Sequence, residues 1–259
     1  MTTLEPMLLT EVDDTKILDE KRIFQEKYNG VRALIHVKDG KITAIRNRSN
    51  NPILFCFPEL KSITFDFNTA ILDGEIVVMK DGKSVFYGGI DQRRSTPNDR
   101  KLRECPATLV VFDIIQYEAE TLLYKPYKIR LDYLERMRDK VHGAVQIIES
   151  TISGRALWDK VVADNREGIV VKDPNAIYEV GKRSKQYLKL KNYKYVDVIV
   201  EQCEPNPKGT KIFSITVIDG KEIKVECQRA GAFNINVGDT VRVKYLDIVG
   251  DHLVQPTNW

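Results

Sequence analysis

Apolar and polar positions alternate through much of the first two hundred residues, in short runs closed by tight-turn dipeptides. Residues 31–37 (VRALIHV) and 41–47 (KITAIRN) flank Asp39-Gly40, and residues 70–79 (AILDGEIVVM) run into Asp81-Gly82. A period of two bounded by Asp-Gly predicts antiparallel hairpins, because Asp and Gly tolerate the left-handed backbone of a two-residue turn. Two segments carry a helical period instead. Ile129, Leu131, Leu134, Met137 and Val141 predict one helix, with Gly143 as its stop, and Ser153 is placed to cap a second helix through Ala156, Leu157, Val161 and Val162.

After residue 195 helix signals give way to short strand-like runs: VDVIVEQC (196–203), KIFSITVI (211–218), KEIKVEC (221–227) and TVRVKYLDIV (240–249). Asp219-Gly220 joins the second to the third, residues 205–209 (PNPKG) mark a loop, and Val237-Gly238-Asp239 a turn. About five strands suit a small closed barrel of the OB type, and an SH3-like barrel gives the same pattern. The fold class expected is α+β, an antiparallel-sheet domain over residues 1–195 followed by a small β-barrel over 196–259.

Composition narrows the class without naming a function. The chain has 259 residues, 42% hydrophobic and 30% charged, which excludes disordered and fibrous chains. Its longest apolar stretch, residues 107–115, is about half of the ~18 residues that suggest a membrane helix, and its acidic, Pro-containing start is unlike a signal peptide. A cytoplasmic protein is expected, or one of the host-cell cytoplasm if viral, with no membrane partner. Cys56, Cys105, Cys203 and Cys227 form no CxxC pair and have no neighbouring His, so zinc ligation is not expected.

The formal charge of +3 is unevenly spread. Residues 196–259 carry 7 Lys+Arg against 9 Asp+Glu, and residues 1–195 carry 33 against 28. Lys182, Arg183, Lys185, Lys189, Lys191 and Lys194 succeed one another with no acid between them, interleaved with Tyr187, Leu188, Leu190 and Tyr193. In a strand this alternation sends Lys189 and Lys191 to one side, where like charges repel unless an anion lies between them.

Chemistry enters with Glu26-Lys27-Tyr28-Asn29-Gly30-Val31-Arg32, a Lys just before a Gly turn that feeds a strand. Alone it reads as a surface ammonium. It gains weight from five motifs downstream in the chain: Arg48 before Ser49-Asn50-Asn51, then Leu72-Asp73-Gly74-Glu75, Val111-Phe112-Asp113, the run from Glu167 to Lys172 (EGIVVK), and Lys189-Leu190-Lys191.

This series resembles the ATP-dependent DNA ligases of the small two-domain type. They belong to the covalent nucleotidyltransferase superfamily, which also contains RNA ligases and mRNA capping enzymes. Pro6-Met7-Leu8-Leu9 and Phe57-Pro58-Glu59-Leu60 strengthen the likeness, which covers essentially the whole chain. It implies an ATP-grasp-like nucleotidyltransferase domain followed by an OB-fold domain, and a monomer acting on nicked duplex DNA. The activity implied is nick sealing with ATP and Mg²⁺ or Mn²⁺, in which AMP is held covalently as the intermediate.

By the same resemblance Lys27 is the nucleophile. A free Lys, with a pKa of ~10.4, must be made a usable amine by its surroundings, and Lys189, Lys191, Arg32 and bound metal are expected to supply that field. Lys189 and Lys191 match the phosphate-binding pair, stabilising charge that grows on the α-phosphate. Arg32 and Arg48 match arginines that contact the nucleotide and the 5′-phosphate of the nick, where a planar fork suits phosphate. Glu75 and Glu167 match acids that hold ribose and coordinate metal. Phe112 matches the aromatic that stacks on adenine, with Val170 on its other face, although the apolar setting of both also suits core. Asp73 either orients Glu75 or closes a turn.

Some positions depart from the family pattern. Asn29 stands where Asp is usual, and Gln25, two before the nucleophile, stands where an acid often reads the adenine amino group; the amide oxygen of Gln25 can still accept that bond. The closing residues 253–259 (LVQPTNW) lack the RxDK-like motif that orients pyrophosphate in larger ligases, which leaves that work to groups such as Lys182, Arg183 or Lys185. With only 26 residues before Lys27, a helical DNA-binding domain ahead of it is not expected, and Arg93, Arg94, Arg100, Lys101 and Arg103 are candidate phosphate contacts. The alternatives are an RNA ligase or capping guanylyltransferase and, less favoured, a non-catalytic OB-fold module. That last reading requires exposed aromatics among Phe213, Phe233, Tyr245 and Trp259.

Overall fold

The computed structural model describes residues 4–207, 209–230 and 234–258, so Phe233 and Trp259 lie outside the described residues. The chain divides into two units, Met1–Leu190 and Lys191–Trp259. In the first, the longer strands are β1 (Leu8–Val12), β2 (Ile23–Glu26), β3 (Val31–Lys38), β4 (Lys41–Arg46), β5 (Thr69–Lys80), β6 (Ala107–Tyr117), β7 (Gly168–Lys172) and β8 (Arg183–Lys191). One sheet has the order β1-β8-β7-β2 with Ser150–Thr151 at its edge. Another has β4-β3-β5-β6 at its centre, short strands outside, and Val145–Ile147 added in parallel to β6. The hairpins fall where Asp-Gly predicts them, with φ of 52° and 67° at Asp39 and Gly40 and 50° and 73° at Asp81 and Gly82.

The period of two decides what each strand gives to which side. On β5, Ala70, Leu72, Ile76 and Val78 enter the largest core, while Asp73 and Glu75 point the other way, toward the first sheet. On β2 and β7, Phe24, Ile169 and Val171 pack under the helix Gly154–Ala163 with Val161, leaving Gln25, Val170 and Lys172 on the opposite side. The two sheets therefore face each other across a layer that is apolar at one end, where Met7, Leu34, Ile115 and Tyr178 pack, and polar at the other.

Strand β6 breaks the alternation at a useful place. Its register against β5 shifts between Asp73 and Gly74, which pair with Asp113 and Val111 and leave Phe112 as an extra residue. Such a bulge turns successive side chains to one side. Phe112 and Asp113 consequently both face the polar layer. The close approach at this bulge depends on Gly74, where an added Cβ would lie 2.6 Å from the Val110 carbonyl oxygen.

The helices differ in detail from their expected limits. The first is Tyr127–Met137, followed by a 3-10 turn, and Val141 lies in a short strand because it pairs with Phe65. Ser153 holds the N-cap position of the second, yet its side chain makes no capping bond. In the second unit the described residues form eight strands instead of about five, since 196–203 and 240–249 each bend into two and His252–Val254 and Thr257–Asn258 add two more. Lys194–Ile199, Thr240–Tyr245 and Thr257–Asn258 form one sheet; Gln202–Asn206, Gly209–Ile218, Lys221–Ala230, His252–Val254 and Asp247–Val249 form the other. Pairing runs through Asn206 and resumes at Gly209, so Pro205 and Asn206 are strand and not loop. Val198, Ile212, Val225, Val243 and Tyr245 fill the core of this unit.

Replacing Gly74 by Ala is expected to lower stability by about 1–3 kcal/mol, because a backbone carbonyl has no rotamer by which to yield. Chemical denaturation of the two proteins measures it, and equal midpoints would contradict the requirement for close approach.

Candidate active site

Two pockets open on the polar layer, and Lys27, Arg32, Glu75 and Leu9 line both. The first is otherwise walled by Gln25, Phe112, Asp113, Val170, Lys172 and Tyr187 among others, a mixture of aromatic and buried polar groups. The second is walled by Arg48, Arg183 and Lys189 with Leu8 and Gly30, and its charge is mainly positive. A flat apolar group suits the first and an anionic tail the second. Lys27 stands at their junction, just after β2, where its N–H donates to the Gly168 carbonyl at 2.9 Å.

Its side chain finds an acid first. Lys27 Nζ lies 2.7 Å from Glu167 Oε1, with Glu167 only 8% exposed and its other oxygen, Oε2, buried without a hydrogen-bond partner. Glu75 is half-buried nearby; desolvation pushes its carboxyl up to about 7, opposed by the charges of Lys27 and Arg32 and assisted by Glu167 and Asp73. Two carboxylates thus share the space around Lys27 with Arg32 and Lys189, two of the cations expected to supply its field.

The floor of the first pocket is held by two buried ion pairs. Arg32 grips Asp73 through Nε and Nη2, both at 2.6 Å, and its guanidinium lies 4.7 Å from the centre of the Phe112 ring. Tyr178 donates to the same Asp73 at 2.6 Å, so Asp73 anchors Arg32 and does not close a turn. Arg130 holds Asp113 in the same two-pronged way at 2.7 and 3.1 Å. Burial alone would raise the Asp113 carboxyl, but Arg130 and Lys172 more than offset it and hold it below the usual carboxylate value.

Lys172, Arg130, Tyr127, Tyr178 and Tyr187 carry no role in the sequence reading. The signal for Lys172 is its position as the one charged residue at the end of an apolar run, on the same side as Val170. Its ammonium is 2% exposed, donates to the Phe112 carbonyl at 2.9 Å and lies 4.2 Å from the centre of the Tyr127 ring. Burial lowers it to about 7, partly opposed by Asp113.

Gln25 lines the first pocket and is fully buried. Its Nε2 donates to Tyr127 and Ser150, leaving Oε1 buried at the pocket wall without a partner. Lys189 does lie on the side opposite Leu188 and Leu190, and the anion it meets is Glu11 of the parallel strand β1, at 3.0 Å. Lys191 opens the second unit and donates there to Tyr193 and Gln255. Of the proposed pyrophosphate groups Arg183 lines the second pocket, while its guanidinium also donates to the Leu9 carbonyl. Lys182 and Lys185 are exposed.

Arg93 is not a phosphate contact. It is fully buried and bound to Glu59 at 2.7 and 2.9 Å and to the carbonyls of Cys56 and Cys105, so the Phe57-Pro58-Glu59-Leu60 run serves packing. Arg94, Arg100 and Arg103 are exposed, Lys101 half-buried. In the second unit Tyr245 is buried, Phe213 sits beneath Lys211, and the exposed Tyr195 has Arg242 over its ring.

The donor chemistry suits a hard divalent cation. Mg²⁺ binds one or two carboxylates together with substrate phosphates, and the unpartnered Glu167 Oε2 beside Glu75 supplies such oxygens. Among the described residues no group of three or more His, Cys, Asp or Glu gathers to form an all-protein cage, which Mg²⁺ does not require.

Comparison with known proteins places this architecture in a family. The model of the ATP dependent DNA ligase domain matches residues 6–191, and the chain belongs to that family. The SPbeta prophage-derived DNA ligase-like protein LigB of Bacillus subtilis is 31% identical over 199 residues, 76% of this chain and 70% of its own. A DNA ligase of Methanothermobacter thermautotrophicus is 32% identical over 203 residues, 73% of this chain but 36% of its own, so the chain spans about a third of such longer relatives. Among solved structures, the ligase domain of M. tuberculosis LigD superposes with a TM-score of 0.63 at 16% identity, covering 98% of this chain and 93% of that one. A Lig E DNA ligase gives 0.67 at 16%, covering 99% and 98%. These two likenesses concern the fold. No helix among the described residues is long and apolar enough to cross a membrane.

The buried Lys172 makes a pH prediction. An unfolded lysine keeps its proton to ~10.4, whereas the folded one gives it up near 7. Between these values the unfolded chain binds more protons, so stability rises with pH. The stability of the wild type minus that of Lys172→Met is expected to climb by about 1 kcal/mol per unit between about pH 7.5 and 9.5. Denaturant unfolding across that range measures it, and a flat difference would contradict the burial of an ammonium here.

Proposed function

We propose that this chain is an ATP-dependent DNA ligase that seals nicks bearing a 5′-phosphate and a 3′-hydroxyl. Lys27 Nζ attacks the α-phosphorus of ATP, the bond to pyrophosphate breaks, and a lysyl-AMP phosphoramidate forms. AMP then passes to the 5′-phosphate of the nick, and the 3′-hydroxyl displaces it as the phosphodiester closes. The observation that carries this reading is the position of Lys27 at the junction of an aromatic, amide-lined pocket and a cationic one.

The residues divide the work by their chemistry. Phe112 and Val170 suit the two faces of a purine, and the open Gln25 Oε1 suits its amino group. Arg32, Arg48, Arg183 and Lys189 suit the phosphates, as fixed cations in a shielded cleft stabilise charge developing on the α-phosphate. Glu167, 2.7 Å from Lys27, is the group placed to take the proton that Lys27 must lose before attack. Glu75 and Glu167 would hold Mg²⁺, whose charge supports phosphate transfer when bound. The second unit acts as an OB-fold domain and Lys191 as a further phosphate-binding cation. Duplex DNA is gripped through exposed arginines such as Arg94, Arg100 and Arg103.

Incubation with labelled ATP and Mg²⁺ is expected to leave a covalent label on the protein and to seal nicked DNA. Lys27→Ala should lose both; label retained in that variant would contradict the assignment. Glu167→Gln should slow adenylation by about 10²-fold or more, and an unchanged rate would remove Glu167 from the chemistry. If six phosphates are neutralised, log K for nicked DNA should fall with log salt at a slope of about −5.

A further inference from the structure

Behind the first pocket runs a hydrogen-bond chain that the transfer chemistry does not need. Both N–H groups of the buried Gln25 amide are used, to Tyr127 Oη at 2.7 Å and Ser150 Oγ at 2.8 Å. The Tyr127 hydroxyl donates in turn to the Phe112 carbonyl at 3.3 Å, and Lys172 Nζ donates to that same oxygen at 2.9 Å. Tyr127 has no exposure, and its ring meets Tyr187 edge-on at 5.5 Å.

A primary amide is nearly symmetric in shape, so a half-turn exchanges oxygen and nitrogen with little steric penalty. Which end faces the pocket is therefore set by the hydrogen-bonding sense of its partners. Ser150 Oγ can donate or accept, and it is itself hydrogen-bonded to Tyr127, so its sense follows that of the tyrosine. A backbone carbonyl can only accept, and it draws the Tyr127 proton away from Gln25. The tyrosine oxygen then offers Gln25 a lone pair, which selects the –NH₂ end and leaves Oε1, on a residue that lines the pocket, without a partner.

We propose that Tyr127 is a positioning residue for nucleobase selection: tied to the Phe112 carbonyl, its hydroxyl fixes the Gln25 amide so that the pocket presents an acceptor. A purine with a 6-amino group satisfies that acceptor. A 6-oxo purine sets oxygen against oxygen and leaves both buried groups unpaired, the kind of mismatch that discriminates most strongly between substrates. This rests on the reading that the chain adenylylates itself from ATP.

The test compares rates of covalent adduct formation from ATP and from inosine triphosphate, which replaces the 6-amino group by oxygen. The wild type is expected to favour ATP by about 10²-fold or more. Tyr127→Phe, checked for folding by its thermal unfolding, frees the amide to turn and should lower that ratio by about tenfold. Adding Gln25→Glu to Tyr127→Phe should restore it, because a carboxylate presents oxygen in either orientation. Ser150→Ala should keep the wild-type ratio. A Tyr127→Phe protein with unaltered preference, a double variant that does not recover, or a collapse of selectivity in Ser150→Ala would each overturn the assignment to Tyr127. A wild type that forms no adduct from either nucleotide would overturn the functional reading as well.

Discussion

Charge taken out of water between two sheets must be paired, and that demand organises the first unit. An unpaired buried carboxylate costs several kcal/mol, so Asp73 and Asp113, with 0% and 1% exposure, each require a cation in fixed geometry. Arg32 and Arg130 meet them with paired bonds, which a guanidinium can form and an ammonium cannot. Once these pairs are closed, the buried side-chain atoms left without a partner among the described residues of the first unit are Arg93 Nε, Glu167 Oε2 and the amide oxygen of Gln25, and Glu167 meets Lys27 while Gln25 lines the pocket beside it. The polar floor is structural; the reactive rim is what it leaves open.

Strand geometry places that rim. Because alternate residues of β2, β5 and β7 point to opposite sides, the residues that build the core also fix which of their neighbours enter the cleft. The bulge in β6 adds Phe112 and Asp113 at the same point, one as a ring for the pocket and one as the anchor for Arg130. A single irregularity in register thus supplies both the apolar wall and its electrostatic support.

Much of this was legible in the amino-acid order. The Asp-Gly hairpins, the alternation in residues 70–79 and the change of texture near 195 rest on local rules, and local rules survive folding. Lys27, Arg32, Glu75 and Phe112 come together because the strand pattern carries them to one side. What escaped was set by distant partners. Arg93 looks like a surface cation until Glu59 and two carbonyls surround it. Lys189 meets Glu11 only because β1 and β8 pair in parallel across more than 170 residues. Val141 leaves its helix for a strand partner at Phe65. Lys172 and Tyr127 gain meaning only through the Phe112 carbonyl that joins them, and no spacing in the chain announces a shared backbone oxygen.

The proposal that a single amine captures adenylate draws on membership of the ATP dependent DNA ligase domain family and on the geometry around Lys27. Peptide mapping by mass spectrometry after exposure of the folded protein to ATP and Mg²⁺ tests it most directly. The adenylyl group is expected on the peptide containing Lys27 and on no other. An adduct on a different lysine, or none, would contradict the placement of the reaction in this cleft.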